Sequence, residues 1–333
     1  MLQMLFRWYF QIPIYLRLLL TVIFFMFLFG SVMHFVEPVN FPSLFDGLWW
    51  AFVTGSTVGY GDFVPNSILG KVIGILMILA GGGIVTYYMV TVASGAVERE
   101  KEMEKGNVAY KGKNHVVLIG WNERSRQLLN MINDFKPTEE VVLVDNSLSK
   151  SPKHHYHFHF IHGDASLDDT LKKANISEAR HVIITSDQSR PEKQADQLAI
   201  LSTVAVRGVN PEVPISTEIL TKNQIPNAER AGADTVIRSN DFMSTLFFHE
   251  VYREQPVKPF DIMLEQLASQ QYNQHELPDE QIGRTFLECS NDYVKKDELL
   301  LGIIRKGDVL INPPFQMDLE KGDKLIVLVS LRE

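Results

Sequence analysis

The stretch FPSLFDGLWWAFVTGSTVGYGDFVP, residues 41–65, decides how the rest of the chain is read. From Leu44 to Ser56 it is apolar and aromatic, yet it falls short of the roughly 20 residues a helix needs to cross about 30 Å of hydrocarbon. Two longer runs bracket it. LLLTVIFFMFLFGSVMHFV, about Leu18 to Val36, carries no charged residue and one histidine, His34, near its far end. VIGILMILAGGGIVTYYMVTVASGAV, about Val72 to Val97, is uncharged throughout. Both qualify as membrane spans, and the short helix between them reads as re-entrant. Such a helix is tolerated at membrane depth only where protein buries it.

Charge sets the orientation. Arg7 and Arg17 precede the first span, and Arg99, Lys101 and Lys105 follow the second. The loop between them holds Glu37, Asp46 and Asp62, with no basic residue before Lys71. The positive-inside bias then puts both termini in the cytosol and the loop outside, in a multi-pass protein of the cell membrane. FRWYFQIPIYLR, ahead of the first span, suits either a segment in the headgroup layer or a disordered start. The first apolar run has no small-residue cleavage site after it, so it is expected to stay in the membrane. The 333 residues carry a net charge of -8, and the mean hydropathy of -0.02 averages an apolar N-terminal part with an acidic globular remainder. No basic patch is available to neutralise phosphates, which disfavours a nucleic-acid partner. Cys289 is the only cysteine, so an internal disulfide is impossible and a reducing cytosol fits.

After the re-entrant helix comes Thr57-Val58-Gly59-Tyr60-Gly61-Asp62. A lone GYG reads as a glycine-rich turn. Placed after a short apolar helix and between two spans, the hexapeptide resembles the selectivity filter of potassium channels. A potassium ion that sheds its water needs several oxygens, and four strands lined with backbone carbonyls supply them. Aligning successive carbonyls requires conformations closed to ordinary L-residues, a penalty that Gly59 and Gly61 remove. Val58 and Tyr60 are expected to turn outward, braced by Trp49 and Trp50. Thr57 offers a carbonyl and a hydroxyl at the inner mouth, and the re-entrant helix aims its negative dipole end at the central cavity. The resemblance implies a homotetramer with K+ as the permeant ion. Tyr60 stands where poorly selective relatives carry aspartate.

Gly81-Gly82-Gly83 interrupts the second span, each glycine costing about 1 kcal/mol relative to alanine in a helix. The triplet reads either as a bend or as tight packing of small residues against a neighbouring helix. The resemblance implies a gating hinge here, nearest Gly81, with Gly83 a close rival. Residues 98–114, EREKEMEKGNVAYKGKN, are charged and read as a helix extension followed by a linker that can pull on the inner helix. Met103 is an ordinary methionine or an internal start that would yield extra soluble regulatory domains.

Residues 115–240 alternate short apolar strands with helices, starting from HVVLI at 115–119 and VVLV at 141–144. The pattern argues for a doubly wound parallel sheet. It resembles the RCK domain, the regulator of potassium conductance with its Rossmann-like TrkA-N lobe. The dinucleotide fingerprint GxGxxG is degraded to G-W-N-E-R-S, in which only Gly120 keeps its glycine while Asn122 and Ser125 replace two others. Asp145 lies where an acid would bond ribose hydroxyls, and Asp164 follows the third strand in a Gly-Asp pair. A nucleotide is therefore one candidate ligand. No hydride-transfer constellation appears, so an enzyme is not expected. The resemblance also implies a calcium site, and Glu218 matches one of its positions. Thr185 and Leu220 hold the neighbouring positions and are poor ligands for a cation that wants several oxygens; Asp187 would help only with a shift. Along HHYHFH, residues 154–159, His155, His157 and His159 would share a strand face, as metal ligands, as pH sensors, or as a polar face without a ligand.

The remaining chain divides into a bridging helix, 241–256, and a C-terminal lobe, 257–333, that resembles TrkA-C. Phe242 to Tyr252 is rich in Phe, Met and Leu and reads as a dimer contact. Lys306-Gly307-Asp308 and Lys321-Gly322-Asp323 mark turns between short strands. The expected architecture is multi-domain: an α-helical two-span pore, an α/β Rossmann-like domain and a small α+β lobe. The expected function is a potassium-selective channel gated by ligand binding to RCK domains, which would dimerise and could form an octameric ring with soluble copies. Nucleotides, cyclic dinucleotides and divalent cations stay open as the regulatory ligand. The rival readings are a membrane-tethered nucleotide-sensing regulator and a poorly selective cation channel.

Overall fold

The computed structural model describes Tyr9 and residues 12–152, 157–252 and 258–330. The histidine run therefore lies partly outside the described residues, with His157 and His159 inside them.

Among the described residues, three helices build the membrane part: α1 (Ile14–Val36), α2 (Leu44–Gly55) and α3 (Ile68–Glu104). The helix α2 starts where Ser43 and Asp46 form a reciprocal capping box, the Ser43 hydroxyl accepting from the Asp46 amide and the Asp46 carboxylate from the Ser43 amide. This satisfies two amides that the helix start would otherwise leave open. Glycine lets α2 lie hard against α1. A Cβ at Gly47 would come within 2.2 Å of the Gly30 carbonyl oxygen, and one at Gly30 within 2.8 Å of the Gly47 backbone. Met26, Met33, Phe41, Trp50, Ala51 and Met77 pack into one buried cluster that joins the three helices.

The glycine triplet does not interrupt α3, which is continuous from Ile68 to Glu104. Its three members differ in surroundings. Gly81 is buried, and a Cβ there would meet the Met77 and Met26 methyls at 3.3 and 3.4 Å, whereas Gly82 and Gly83 have nothing within 4 Å. Beyond the span the helix runs on through EREKEME, whose Glu, Arg, Lys and Met are good helix formers, and it stops before Gly106.

The next unit is a six-stranded, wholly parallel sheet in the order β3-β2-β1-β4-β5-β6. Its strands are β1 (His115–Ile119), β2 (Val141–Asp145), β3 (His159–His162), β4 (Ala179–Ile184), β5 (Ile215–Glu218) and β6 (Thr235–Ile237). The helices α4 (Glu123–Phe135), α5 (Asp168–Lys173), α6 (Glu192–Val209) and α7 (Ile225–Arg230) connect them. β1 and β2 are buried along their whole length, as central parallel strands with covered faces should be. The strand order reverses between β1 and β4, which opens a crevice at their carboxyl ends.

The C-terminal part holds α8 (Ser239–Tyr252), α9 (Pro259–Ser269) and α10 (Phe286–Val294) with a four-stranded antiparallel sheet. The sheet runs β7-β10-β8-β9, from β7 (Gln270–Glu276), β8 (Leu299–Arg305), β9 (Asp308–Ile311) and β10 (Lys324–Ser330). Lys306 and Gly307 close the β8–β9 hairpin, both at positive φ, 55° and 92°. Two such residues match the twist of the flanking strands.

Gly47→Ala is expected to push α1 and α2 apart and cost about 1–3 kcal/mol, the usual range for overpacking. Gly82→Ala, with open space around it, is expected to be neutral or stabilising by up to about 1 kcal/mol. Thermal unfolding of the detergent-solubilised protein compares the two.

Candidate ion pore and regulatory crevice

The segment after α2 alternates its backbone hand. Thr57, Gly59 and Gly61 have φ of 62°, 61° and 74°, whereas Val58 and Tyr60 do not enter the positive region. The amides of Val58 and Gly59 both donate to the Val53 carbonyl of α2, each at 3.1 Å. In a trans peptide the carbonyl of one residue opposes the amide of the next. The Thr57 and Val58 carbonyls therefore both face away from α2, toward the same side. A strand alternates its carbonyls and a helix spends them on internal hydrogen bonds, so two aimed one way outside a helix are the arrangement an oxygen-lined path needs. The positive φ of Thr57 was not legible in the motif: glycine marks the other two positions, and threonine pays steric strain for the same geometry.

The expected aromatic bracing is half correct. The Trp49 ring stacks on Tyr60 with centroids 6.0 Å apart and planes 9° apart, and its Nε1 donates to the Asp62 carboxylate at 2.7 Å. Trp50 does not share this role: it turns inward and meets Phe41 edge-on at 5.6 Å. The reason is helical spacing, because consecutive residues of α2 point about 100° apart.

Glu37 takes from the fold a role that its place in the sequence, an outside charge, does not announce: the residue is only 6% exposed. Its Oε1 accepts from the Ser67 amide at 2.8 Å and the Ser67 hydroxyl at 2.5 Å, and its Oε2 from the Asn66 amide at 2.9 Å and Asn40 Nδ2 at 2.8 Å. Ser67 caps α3, so Glu37 ties the outer end of α1 to the start of the inner helix. Burial pushes this carboxyl up, but the bonds from Ser67, Asn40 and Asn66 outweigh it and bring it down to about 2. A lone acid closing an uncharged span was the available signal.

The crevice at the β1/β4 switch point has a volume of about 150 Å³ and is lined by Gly120, Asp145, Asp164, Thr185, Asp187 and Arg190, among others. It gathers four of the candidate ligand residues but closes on itself. The Trp121 amide donates to Asp145 Oδ2 at 2.8 Å, while the Ser147 amide, the Ser147 hydroxyl and the Leu148 amide donate to Oδ1. Four donors fill a carboxylate's usual capacity. Asn122 and Ser125 form a reciprocal cap on α4, and Asn122 Nδ2 reaches Thr185 Oγ1 and the Ser186 carbonyl, both at 3.1 Å. Two amides that a glycine fingerprint would offer to a pyrophosphate are thus already used.

Glu218 and Asp187 do not converge on a cation position. Glu218 is buried, with Oε1 2.8 Å from Arg124 Nη1 and Oε2 accepting from the Ser186 amide at 2.8 Å. Asp187 accepts from the Ser189 amide and hydroxyl and from Arg190 Nε. Burial raises the Asp187 carboxyl, but these donors more than offset it and the net shift is downward. Among the described residues no cluster of His, Cys, Asp and Glu could hold a metal ion, and His159 Nε2 is engaged with the Val108 carbonyl at 2.7 Å.

Two apolar helices joined by a re-entrant helix and an alternating-hand segment, then a Rossmann-type sheet, define a pore-loop channel chain with a regulatory domain. Comparison with known proteins agrees. The family described as Ion channel matches residues 21–98, and the TrkA-N domain matches residues 116–239. The YugO protein of Bacillus subtilis (strain 168), assigned as a potassium channel, is 38% identical over 97% of this chain and 97% of its own. The calcium-gated potassium channel TvoK of Thermoplasma volcanium is 30% identical over 67% of this chain and 66% of its own. Among solved structures the GsuK channel shares the fold, with a TM-score of 0.52 at 16% identity over 93% of this chain, which spans 55% of the GsuK chain. This chain belongs to the bacterial potassium channel family that joins an Ion channel pore to a TrkA-N domain.

The Glu37 network yields a pH prediction. A carboxyl held near 2 stabilises the fold fully above its ordinary value of 4.5 and loses that contribution as the pH falls toward 2. Glu37→Gln is expected to unfold at a lower temperature than the wild type at neutral pH. The gap between the two should stay constant down to about pH 4.5 and close below it; a gap that does not change with pH would assign the effect to packing.

Proposed function

We infer that this chain is one subunit of a homotetrameric, potassium-selective channel whose cytosolic RCK domains open and close the pore on binding a ligand. The observation that carries the reading is the alternating hand at Thr57, Gly59 and Gly61, with the Val58 and Gly59 amides held on the Val53 carbonyl. Four such segments around one axis would replace the water shell of K+ with carbonyl oxygens. Thr57 to Asp62 act as the filter, and Trp49 holds its outer end through Tyr60 and Asp62. The loop faces outward and both termini face the cytosol, as the lysine and arginine distribution favours.

Gating is assigned to the inner helix at the glycine triplet. Gly81 serves packing against Met26 and Met77, and the bend falls at Gly82–Gly83, where nothing crowds the helix. A ligand shifts the pore only by binding one of the two shapes more tightly. The crevice favours a nucleotide-type molecule over a divalent cation, because Asp187 and Glu218 are each paired with an arginine while the cleft lies at a switch point beside Asp145 and Asp164. Such a ligand must displace internal hydrogen bonds to enter, which gives the domain two alternative bonded states.

Liposomes containing the purified chain are expected to pass K+ in strong preference to Na+. Gly59→Asp is expected to abolish the flux while the tetramer persists on size-exclusion chromatography. A permeability ratio near one would support the poorly selective rival, and no flux from a well-assembled wild type would support the membrane-tethered sensor. Thermal shift of the full-length protein with adenine nucleotides, cyclic dinucleotides and Ca2+ compares the ligand classes.

A further inference from the structure

Residues 105–114, between α3 and β1, do not form a slack tether. The Glu104 carbonyl accepts from the Ser151 amide at 2.7 Å, the Gly106 carbonyl accepts from the His162 amide at 3.0 Å, and the Val108 carbonyl faces His159 Nε2 at 2.7 Å. Further on, the Tyr110 amide donates to the Lys173 carbonyl, Asn175 Nδ2 to the Gly112 carbonyl and the Asn114 amide to the Glu178 carbonyl, all at 2.8 Å. Gly106 takes a φ of 72° and lies so close to β3 that a Cβ would come within 2.3 Å of the His162 nitrogen. The segment is a strap, bonded at intervals to the sheet unit.

At its centre the Tyr110 ring lies near two imidazoles, with centroids 4.5 Å from His115 and 5.4 Å from His159. The Tyr110 hydroxyl donates to the Glu140 carboxylate. His115 is fully buried at the first position of β1. Its Nε2 lies 3.0 Å from the Ala174 carbonyl, so that nitrogen carries the proton, and its Nδ1 has no partner among the described residues. The site is thus built for a neutral ring. Protonation would add an N–H that finds no acceptor and a charge with little compensation. Against His115 stand the Tyr110 phenol from the strap and the Ala174 carbonyl after α5, with the Glu140 carboxylate ahead of β2 acting on its charge, while His159 of β3 meets the Tyr110 ring. Glu140, the only acid among them, is already engaged by Tyr110.

We propose that His115 is a proton-sensitive latch: neutral, it holds Tyr110 and the strap against the sheet unit, and protonated, it releases them and loosens the link to the inner helix. Burial lowers the affinity of His115 for a proton below the ordinary 6.5, against weaker opposing pulls from the Ala174 carbonyl and Glu140. For a group shifted downward in this way, the docked state is fully favoured above about 6.5 and loses ground as the pH falls below that value. The role in gating rests on the channel reading above, but the docking of the strap does not, so the two can fail separately.

The test is hydrogen exchange of the full-length protein in lipid nanodiscs near pH 7.5 and near pH 5.8, on either side of the ordinary histidine range. Protection factors are compared, so that the intrinsic pH dependence of exchange cancels. The Tyr110, Asn114 and His162 amides are expected to lose up to about fivefold in protection at the lower pH, the most that one group with an ordinary value near 6.5 can deliver there, while the centre of β2 is unchanged. His115→Gln keeps a donor for the Ala174 carbonyl and cannot titrate, so its strap should be equally protected at both values. His159→Gln should keep the wild-type pH dependence. Unchanged wild-type protection, a loss that persists in His115→Gln, or a loss that disappears in His159→Gln would each overturn the proposal. Should His115→Gln fail to assemble, the wild type and His159→Gln decide it between them.

Discussion

The structure depends on one constraint: consecutive backbone carbonyls must face the same way with their oxygens left free, whereas a strand alternates them and a helix spends them on its own hydrogen bonds. The chain meets it by alternating hand at Thr57, Gly59 and Gly61. A non-glycine residue held in the left-handed region costs of order 1–3 kcal/mol and persists only where its surroundings impose it. The surroundings here are specific. Val53 takes two amides of the segment, Trp49 stacks on its tyrosine and bonds its aspartate, and α2 is seated by the backbone contact of Gly30 with Gly47. The buried methionines Met26, Met33 and Met77 fill the joints between the helices, a use that suits their flexible side chains.

From that seat the inner helix carries the connection to the cytosolic domain. It begins at the Glu37–Ser67 cap, passes the glycine triplet without a break and ends at Glu104, whose carbonyl is already bonded to the sheet unit. The helix end is therefore joined to the sheet unit by backbone hydrogen bonds rather than by a slack tether. At the sheet unit's crevice, the Asp145 carboxylate and the Asn122–Ser125 cap are satisfied internally. Packed cores of this kind prefer discrete arrangements to gradual deformation.

Much of the fold was legible in the chain because the patterns involved are local. Span lengths, the short apolar helix, the GYG motif and the alternation of strands with helices all follow from hydropathy and residue type. What was not legible depends on residues distant in sequence. Glu37 reads as a loop acid until α3 returns and presents the Ser67 and Asn66 amides to it. Trp49 and Trp50 look interchangeable until the rotation of α2 sends one to the filter segment and the other to Phe41. Residues 105–114 read as a linker until the edge of the sheet supplies partners for their backbone.

The sequence by itself determined the kind of protein this is: two uncharged spans around a carbonyl-bearing motif, followed by a doubly wound domain with a worn fingerprint. Hydrophobic thickness and glycine chemistry leave few other solutions. Only the tertiary structure decided which acids are structural and which glycine is free. It showed Glu218 held by Arg124 and Ser186, and Gly81 packed while Gly83 stands open. The physical reason is that a carboxylate or a small residue acquires its role from what is folded against it, and those neighbours are set by packing over long sequence separations.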